Sequence, residues 1–188
     1  MTGVDLRSRA VRWLAAATLL TSLVLGSAFV VLHHLTDLRG EAVEGPGAPL
    51  NDDETMAQMV GTARLFVTSG RLRNPSATYV LQSCRRDDEP PYQGSVYLDF
   101  DVPSITDTPA YFRKIAAGMR ARGWTEGLEP HHRPGGKIMA KDGVSALFYR
   151  NPDVAGRGVL QIHGECRNVT DHRADASGFV DITDRLRG

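Results

Sequence analysis

Hydrophobic and polar positions change their rhythm three times along the chain. Residues Trp13 to Leu32 read WLAAATLLTSLVLGSAFVVL, without a single charge and with only Thr18, Thr21, Ser22 and Ser27 as polar members. As a helix this run spans roughly 30 Å, the thickness of a bilayer's hydrocarbon core. Its hydroxyls can bond back to the helix's own carbonyls. The pattern predicts a transmembrane helix over 13–34. The next stretch, 35–50, carries Gly40, Gly45, Pro46, Gly47 and Pro49 with no apolar periodicity, and reads as a semi-flexible linker.

Beyond residue 50 the apolar positions become periodic. Asn51-Asp52-Asp53-Glu54 forms an N-cap with a Glu three residues on, followed by Met56, Met59, Val60, Ala63, Phe66 and Val67 at helical steps, with Gly70 as the stop. Thr78 to Ser83 is β-like. Gly94 to Val102 alternates, with Val96, Leu98 and Phe100 on one side and Tyr97, Asp99 and Asp101 on the other. Thr108-Pro109 opens a second helix with Phe112, Ile115, Ala116 and Met119 as its apolar stripe; Gly123 caps it and Trp124 folds back on its last turn. Lys137–Lys141 and Val144–Tyr149 flank Asp142-Gly143, a strong hairpin signal, and Gly158–Glu165 follows the Asn151-Pro152 turn as a last strand.

Helix, two strands, helix, three strands predicts an α+β two-layer sandwich, an antiparallel sheet of about five strands with two helices on one face. The domains expected are a cytoplasmic N-terminus (1–12), the transmembrane helix (13–34), the linker (35–50), an extracytoplasmic α+β domain (51–169) and a polar, mobile C-terminal tail (170–188).

Charge gives the first helix a direction. Asp5, Arg7, Arg9 and Arg12 precede Trp13, whereas His33, His34 and the lone Arg39 follow the span among Asp37, Glu41 and Glu44. The positive-inside bias places the N-terminus in the cytoplasm and everything after the span outside it, in a single-pass plasma-membrane protein. The competing reading is a signal peptide cleaved near Gly26-Ser27-Ala28; the apolar run continues past that point through Phe29 to Leu32, which favours an uncleaved anchor. No Cys lies near the segment to carry a lipid. Downstream of Trp13 the charges are 22 − 3 = 19 basic and 22 − 1 = 21 acidic, a net of −2, which offers nucleic acid no broad attraction.

Orientation decides how the two cysteines read. Cys84 and Cys166 each end a predicted strand, and in an oxidising compartment they are expected as one disulfide. The sharper alternative makes one a nucleophile activated by His163 or His172, a role that demands a thiol kept reduced. Between Cys84 and the next strand, Arg85, Arg86, Asp87, Asp88 and Tyr92 surround Pro90-Pro91, a candidate recognition loop or a plain solvated connection. Neither His131-His132 nor the group His163, Asp171 and His172 has zinc-ligand spacing, and Asp87-Asp88-Glu89 lacks the alternation of a calcium loop. No metal or other cofactor is expected. Asn168-Val169-Thr170 matches a glycosylation acceptor pattern.

The stretch CRRDDEPPYQGSVYLDFDVP (84–103), the helix end Arg122-Gly123-Trp124 and the strand end Gly164-Glu165-Cys166 resemble small membrane-anchored proteins and lipoproteins of high-GC actinobacteria. The resemblance implies a bacterial cell envelope and brings no activity or residue role with it. Two classes of function stay open. One is an envelope interaction module whose partners are the membrane and an envelope protein or wall component. The other is an extracytoplasmic hydrolase or metal-binding protein using His163 or His172, with Asp99 or Asp101 as the acid beside His163. The absence of a nucleophile elbow weighs against catalysis.

Overall fold

The computed structural model describes residues 47–187 except 86–87, 105–106 and 176–177. The 1–12 and 13–34 segments and most of the 35–50 linker lie outside the described residues. Among those described, no helix is long and apolar enough to cross a membrane.

Local signals fix the two helices. In α1 (Asp52–Gly70) the Asn51 side chain accepts from the Glu54 N–H at 2.9 Å while Glu54 accepts from the Asn51 N–H at 2.9 Å, a reciprocal capping box reinforced by acids in the first turn. The left-handed reversal falls on Arg71 (φ 50°) rather than on Gly70. Gly70 answers to packing instead: a Cβ there would stand 2.9 Å from Leu72. Helix α2 (Thr108–Arg120) carries Pro109 in its first turn and ends in the turn where Gly123 adopts φ 83°, which lets the Trp124 N–H return to the Met119 carbonyl at 3.2 Å.

Among the described residues seven antiparallel strands form one sheet in the order β3-β4-β5-β6-β2-β1-β7. They are β1 (Arg73–Ser83), β2 (Tyr92–Asp101), β3 (Thr125–Glu126), β4 (Lys137–Lys141), β5 (Val144–Arg150), β6 (Arg157–His163) and β7 (Val180–Asp181). Strand β1 starts earlier than the sequence suggests, because Asn74-Pro75 makes a bulge inside the β1–β2 ladder rather than a turn before it. Strands β3 and β7 have two residues each, too few to leave a period in the sequence. Asp142 (φ 48°) and Gly143 (φ 74°) form the expected two-residue hairpin between β4 and β5.

Alternation along the strands sends Val96, Leu98 and Phe100, Leu160 and Ile162, and Ala146 and Phe148 to the side covered by both helices. Met59, Ala63 and Phe66 of α1 and Phe112, Ile115 and Met119 of α2 complete a single core there.

The stretch expected as a polar tail belongs to this core at its far end. Ile182 and Leu186, 1% and 3% exposed, are buried with it, and the Ile182 N–H donates to the Ala77 carbonyl at 2.9 Å. Two buried apolar side chains, Ile182 and Leu186 of the 3-10 turn Thr183–Leu186, tie the segment to the core, and its average polarity conceals them.

Candidate functional site

Beyond β7 the edge of β1 has no further strand beside it among the described residues, and a cleft of about 260 Å³ opens there. One wall is the first turn of α1, with Asp52 and Met56. Tyr79, Val80 and Leu81 of β1 form the floor, and Asp88 with Tyr92 the end. The C-terminal segment closes it through His172, Asp175, Gly178 and Val180.

Asn168 holds these parts in register. It is fully buried; its backbone exchanges hydrogen bonds with Tyr92 at 2.7 and 3.1 Å, and its side-chain amide donates to Asp52 Oδ1 at 2.8 Å. Leu50 bridges to the same residue, so the point at which the chain enters the domain, the start of β2 and the C-terminal segment meet at one side chain. A glycosylation acceptor would need that amide exposed, and here it is committed to Asp52.

His172 is the clasp of the C-terminal wall. Its Nε2 lies 3.0 Å from Asp52 Oδ1, its Nδ1 lies 2.6 Å from Asp175 Oδ2, and its ring meets the Tyr92 ring edge-to-face at 5.0 Å. Burial lowers its basicity, but hydrogen bonds to Asp175 and Asp52 together outweigh burial and hold its pKa above the ordinary value. Asp52 is held below the carboxylate range, first by the Asn168 amide and then, against burial, by His172. A histidine whose pKa is raised on folding contributes stability that is fully present below its unfolded value of about 6.5 and is lost as pH rises through the folded value. His172→Gln is therefore expected to cost most near pH 5–6 and least above neutrality. Urea titrations of both proteins across that range check this, and a pH-independent difference would refute the ion-pair account. His163, whose pKa burial lowers, runs with the opposite sign, but it is common to both proteins and cancels in the comparison.

Tyr79 is 3% exposed and its hydroxyl has no hydrogen-bond partner among the described residues. Burial, with the Asp52 charge added, pushes its pKa far up, so it stays a neutral donor. A buried donor left unmade costs about 1–3 kcal/mol. Tyr79→Phe, which keeps the ring and removes the hydroxyl, should raise the stability of the ligand-free protein by about 1 kcal/mol in urea unfolding. A loss of stability would reveal an unrecognised partner for the hydroxyl.

Cys84 and Cys166 are bonded, with Cα atoms 6.0 Å apart, which removes both from nucleophilic chemistry. Of the loop that follows Cys84, Arg85 is exposed, Arg86 and Asp87 lie outside the described residues, and Asp88 with Tyr92 reaches the cleft. Tyr92 is a wall rather than an exposed contact: it is 2% exposed and its hydroxyl donates to the Asp88 carbonyl. The sequence disguised the other cleft residues. Asp52 reads as a helix-cap acid, Tyr79 as a strand aromatic and Asp175 as part of a tail.

His163 and His172 share no partner. His163 stands on the sheet face away from the helices, with Nδ1 3.0 Å from Ser95 Oγ. Ser95 Oγ in turn donates to Gln82 Oε1 at 2.6 Å, and Gln82 Nε2 donates to Tyr97 Oη at 3.3 Å. With its one proton given to Gln82, Ser95 must accept from His163 Nδ1–H, so the imidazole has no basic nitrogen facing this fully buried hydroxyl. The expected pairing of His163 with Asp99 or Asp101 fails on register. His163 is opposite Ser95, whereas Asp99 is opposite Val159, four positions or about 13 Å along the strand. Asp101, opposite Arg157, is bound to that residue at 2.6 Å. Among the described residues no three His, Cys, Asp or Glu side chains cluster to hold a metal ion.

Comparison with known proteins places the domain. Residues 51–185 match the family model described as "Putative lipoprotein LppJ", a span that opens on the Asn51 cap and closes in the 3-10 turn. Proteins of that description from Mycobacterium tuberculosis strain H37Rv and from Mycobacterium bovis are each 33% identical to this chain over 182 residues, covering 97% of it and 95% of the relative. No solved structure matches. With both the family model and full-length relatives aligned to its folded core, the chain belongs to the LppJ family.

Proposed function

We propose that this chain is a membrane-tethered binding module of the bacterial cell envelope, displayed outside the cytoplasm, with the cleft at the open end of β1 as its ligand site. The observation that carries the reading is a cleft of about 260 Å³ lined by organised polar groups and by Tyr79, a residue whose buried hydroxyl has no hydrogen-bond partner among the described residues. The description of the relatives as lipoproteins supports membrane attachment. On this reading the anchor is the expected transmembrane segment 13–34, with its apolar run from Trp13 to Leu32. Both cysteines, Cys84 and Cys166, are held in the disulfide, and neither is left to carry a lipid. Arg7, Arg9 and Arg12 keep the leading end in the cytoplasm. The described chain enters the domain at Leu50 and Asn51, next to the Asp52 wall of the cleft.

Site-specific photo-crosslinking in intact cells tests this reading. A benzophenone side chain at Val180, which lines the cleft and is 45% exposed, should give discrete adducts that the same group at the exposed Lys114 of α2 does not. Equal labelling from the two positions, or none from either, would overturn the cleft as the site. A reporter active only outside the cytoplasm, fused after Gly188, should be active; an inactive fusion refutes the topology.

A further inference from the structure

The geometry points to the amino-terminal end of a short, extended peptide as the ligand of this cleft, bound by its free ammonium and its first backbone groups. The inference rests on the cleft being a binding site, as proposed above.

Backbone direction supplies the first argument. The Ala77 carbonyl accepts from the Ile182 N–H at 2.9 Å and the Ala77 N–H donates to Thr183 Oγ1 at 3.0 Å, so Ala77 faces the β7 side. Alternation then turns the N–H and C=O of Tyr79 and Leu81 the same way. The ladder agrees: the Cys84 N–H goes to the Pro91 carbonyl on the β2 side, and Gly94, opposite Leu81, gives its carbonyl to the Gly164 N–H on its far side. Among the described residues β7 pairs with Thr78 and Tyr79 alone. Just upstream of it, the chain at Gly178 stands across the cleft from Leu81, since both line it. Among the described residues the Leu81 main-chain donor and acceptor therefore face the cavity without a strand partner, the template for one added strand residue.

Charge supplies the second. The lining holds three carboxylates, Asp52, Asp88 and Asp175, against one imidazole, His172. Arg173 lies nearby, but its guanidinium is bound to Asp171 at 2.6 Å and approaches Glu89 at 3.7 Å. The side chains of Asp52 and Asp175 remain 50% and 60% exposed, so the mouth is accessible and negative. A cation is the complementary ligand group, and the Tyr92 ring adds an aromatic wall.

Size and the orphan donor complete the case. About 260 Å³ lies at the small end of ligand pockets, which suits the end of a chain rather than its middle. Tyr79 belongs to the lining, and its hydroxyl is buried without a hydrogen-bond partner among the described residues. It is the donor that the first peptide carbonyl of such a ligand would meet once a small shift of the ring uncovers it.

Titration of the full-length protein in detergent, followed by amide NMR shifts, tests the inference with three probes: trialanine, N-acetyl-trialanine and n-propylamine. Trialanine is expected to bind with millimolar or better affinity and to shift Leu81 and Tyr79. Acetylation and reduction to the bare amine should each weaken binding by at least about tenfold. Asp175→Asn and Tyr79→Phe should each weaken trialanine severalfold while the protein remains folded. Equal binding of the acetylated peptide would overturn ammonium recognition, and equal binding of propylamine would overturn the peptide edge. Silence toward trialanine at millimolar concentration would overturn the inference as a whole, while cleft-specific crosslinking from Val180 would still stand for the site itself.

Discussion

Replacing Cys84 and Cys166 together by serine is expected to lower the unfolding free energy by about 3 kcal/mol and the melting temperature by roughly 10 °C. The bridge closes a sequence separation of 82 residues, for which the chain-entropy model gives an upper value of about 4.5 kcal/mol. The Cα separation of 6.0 Å falls in the ordinary range for disulfides, so most of that value should be realised. In the sheet order β6-β2-β1 the bridge spans the start of β2, tying the strand on one side to the strand on the other. It also lies between the two sources of the cleft. Cys84 leads into the loop that brings Asp88 and Tyr92, and Cys166 precedes Asn168 by two residues. The variant should therefore lose cleft-directed crosslinking at temperatures where its sheet is still folded. Calorimetry of the wild-type protein with and without reductant, beside the double variant, checks the first claim; coincident transitions in all three would refute it.

Most of the scaffold is legible in the sequence because its elements are long and one-sided. The Asn51–Glu54 box, the Val96/Leu98/Phe100 alternation, the Asp142-Gly143 hairpin and the Gly123-Trp124 reversal each carry a local physical cause in adjacent residues. The disulfide is legible for a different reason: compartment and strand-end position leave the two cysteines one simple fate.

The site is not legible, since no two of its key residues announce each other. Asp52 and His172 are 120 positions apart, and what joins them is Asn168, a residue whose visible pattern suggested a sugar rather than a buried strut. Strand β7 leaves no period to read: of its two residues only Val180 is apolar, and the buried Ile182 and Leu186 lie just beyond it in a segment that is polar on average. A short edge strand derives its stability from what it covers, not from its own periodicity. The same brevity creates the cleft, because a longer β7 would pair with Leu81 and close it.

The larger single-site effect is expected at Phe66. Phe66→Ala should cost about 3–5 kcal/mol, more than loss of the disulfide, because the ring is fully buried where three elements meet. Its edge contacts reach Trp124, after α2, at 5.2 Å and Phe148 of β5 at 6.2 Å, both near-perpendicular, the arrangement in which aromatic quadrupoles attract. Truncation leaves a cavity that Trp124 cannot close, since the Trp124 backbone is held by the Met119 carbonyl and its ring is wedged at the end of the helix. Phe66→Leu keeps much of the volume and loses the ring contacts, so it should cost about 1–1.5 kcal/mol. Urea unfolding separates the cases, with an unchanged slope showing that the native fold persists in each variant. A cost below about 1.5 kcal/mol for the alanine variant would mean that α1 and α2 collapse into the space, and that Trp124 acts as a movable plug rather than a fixed cap. Phe66 lies on α1, whose first turn supplies Asp52 to the cleft, so the alanine variant should weaken ligand contact only near its own melting range, whereas Asp175→Asn weakens it at every temperature.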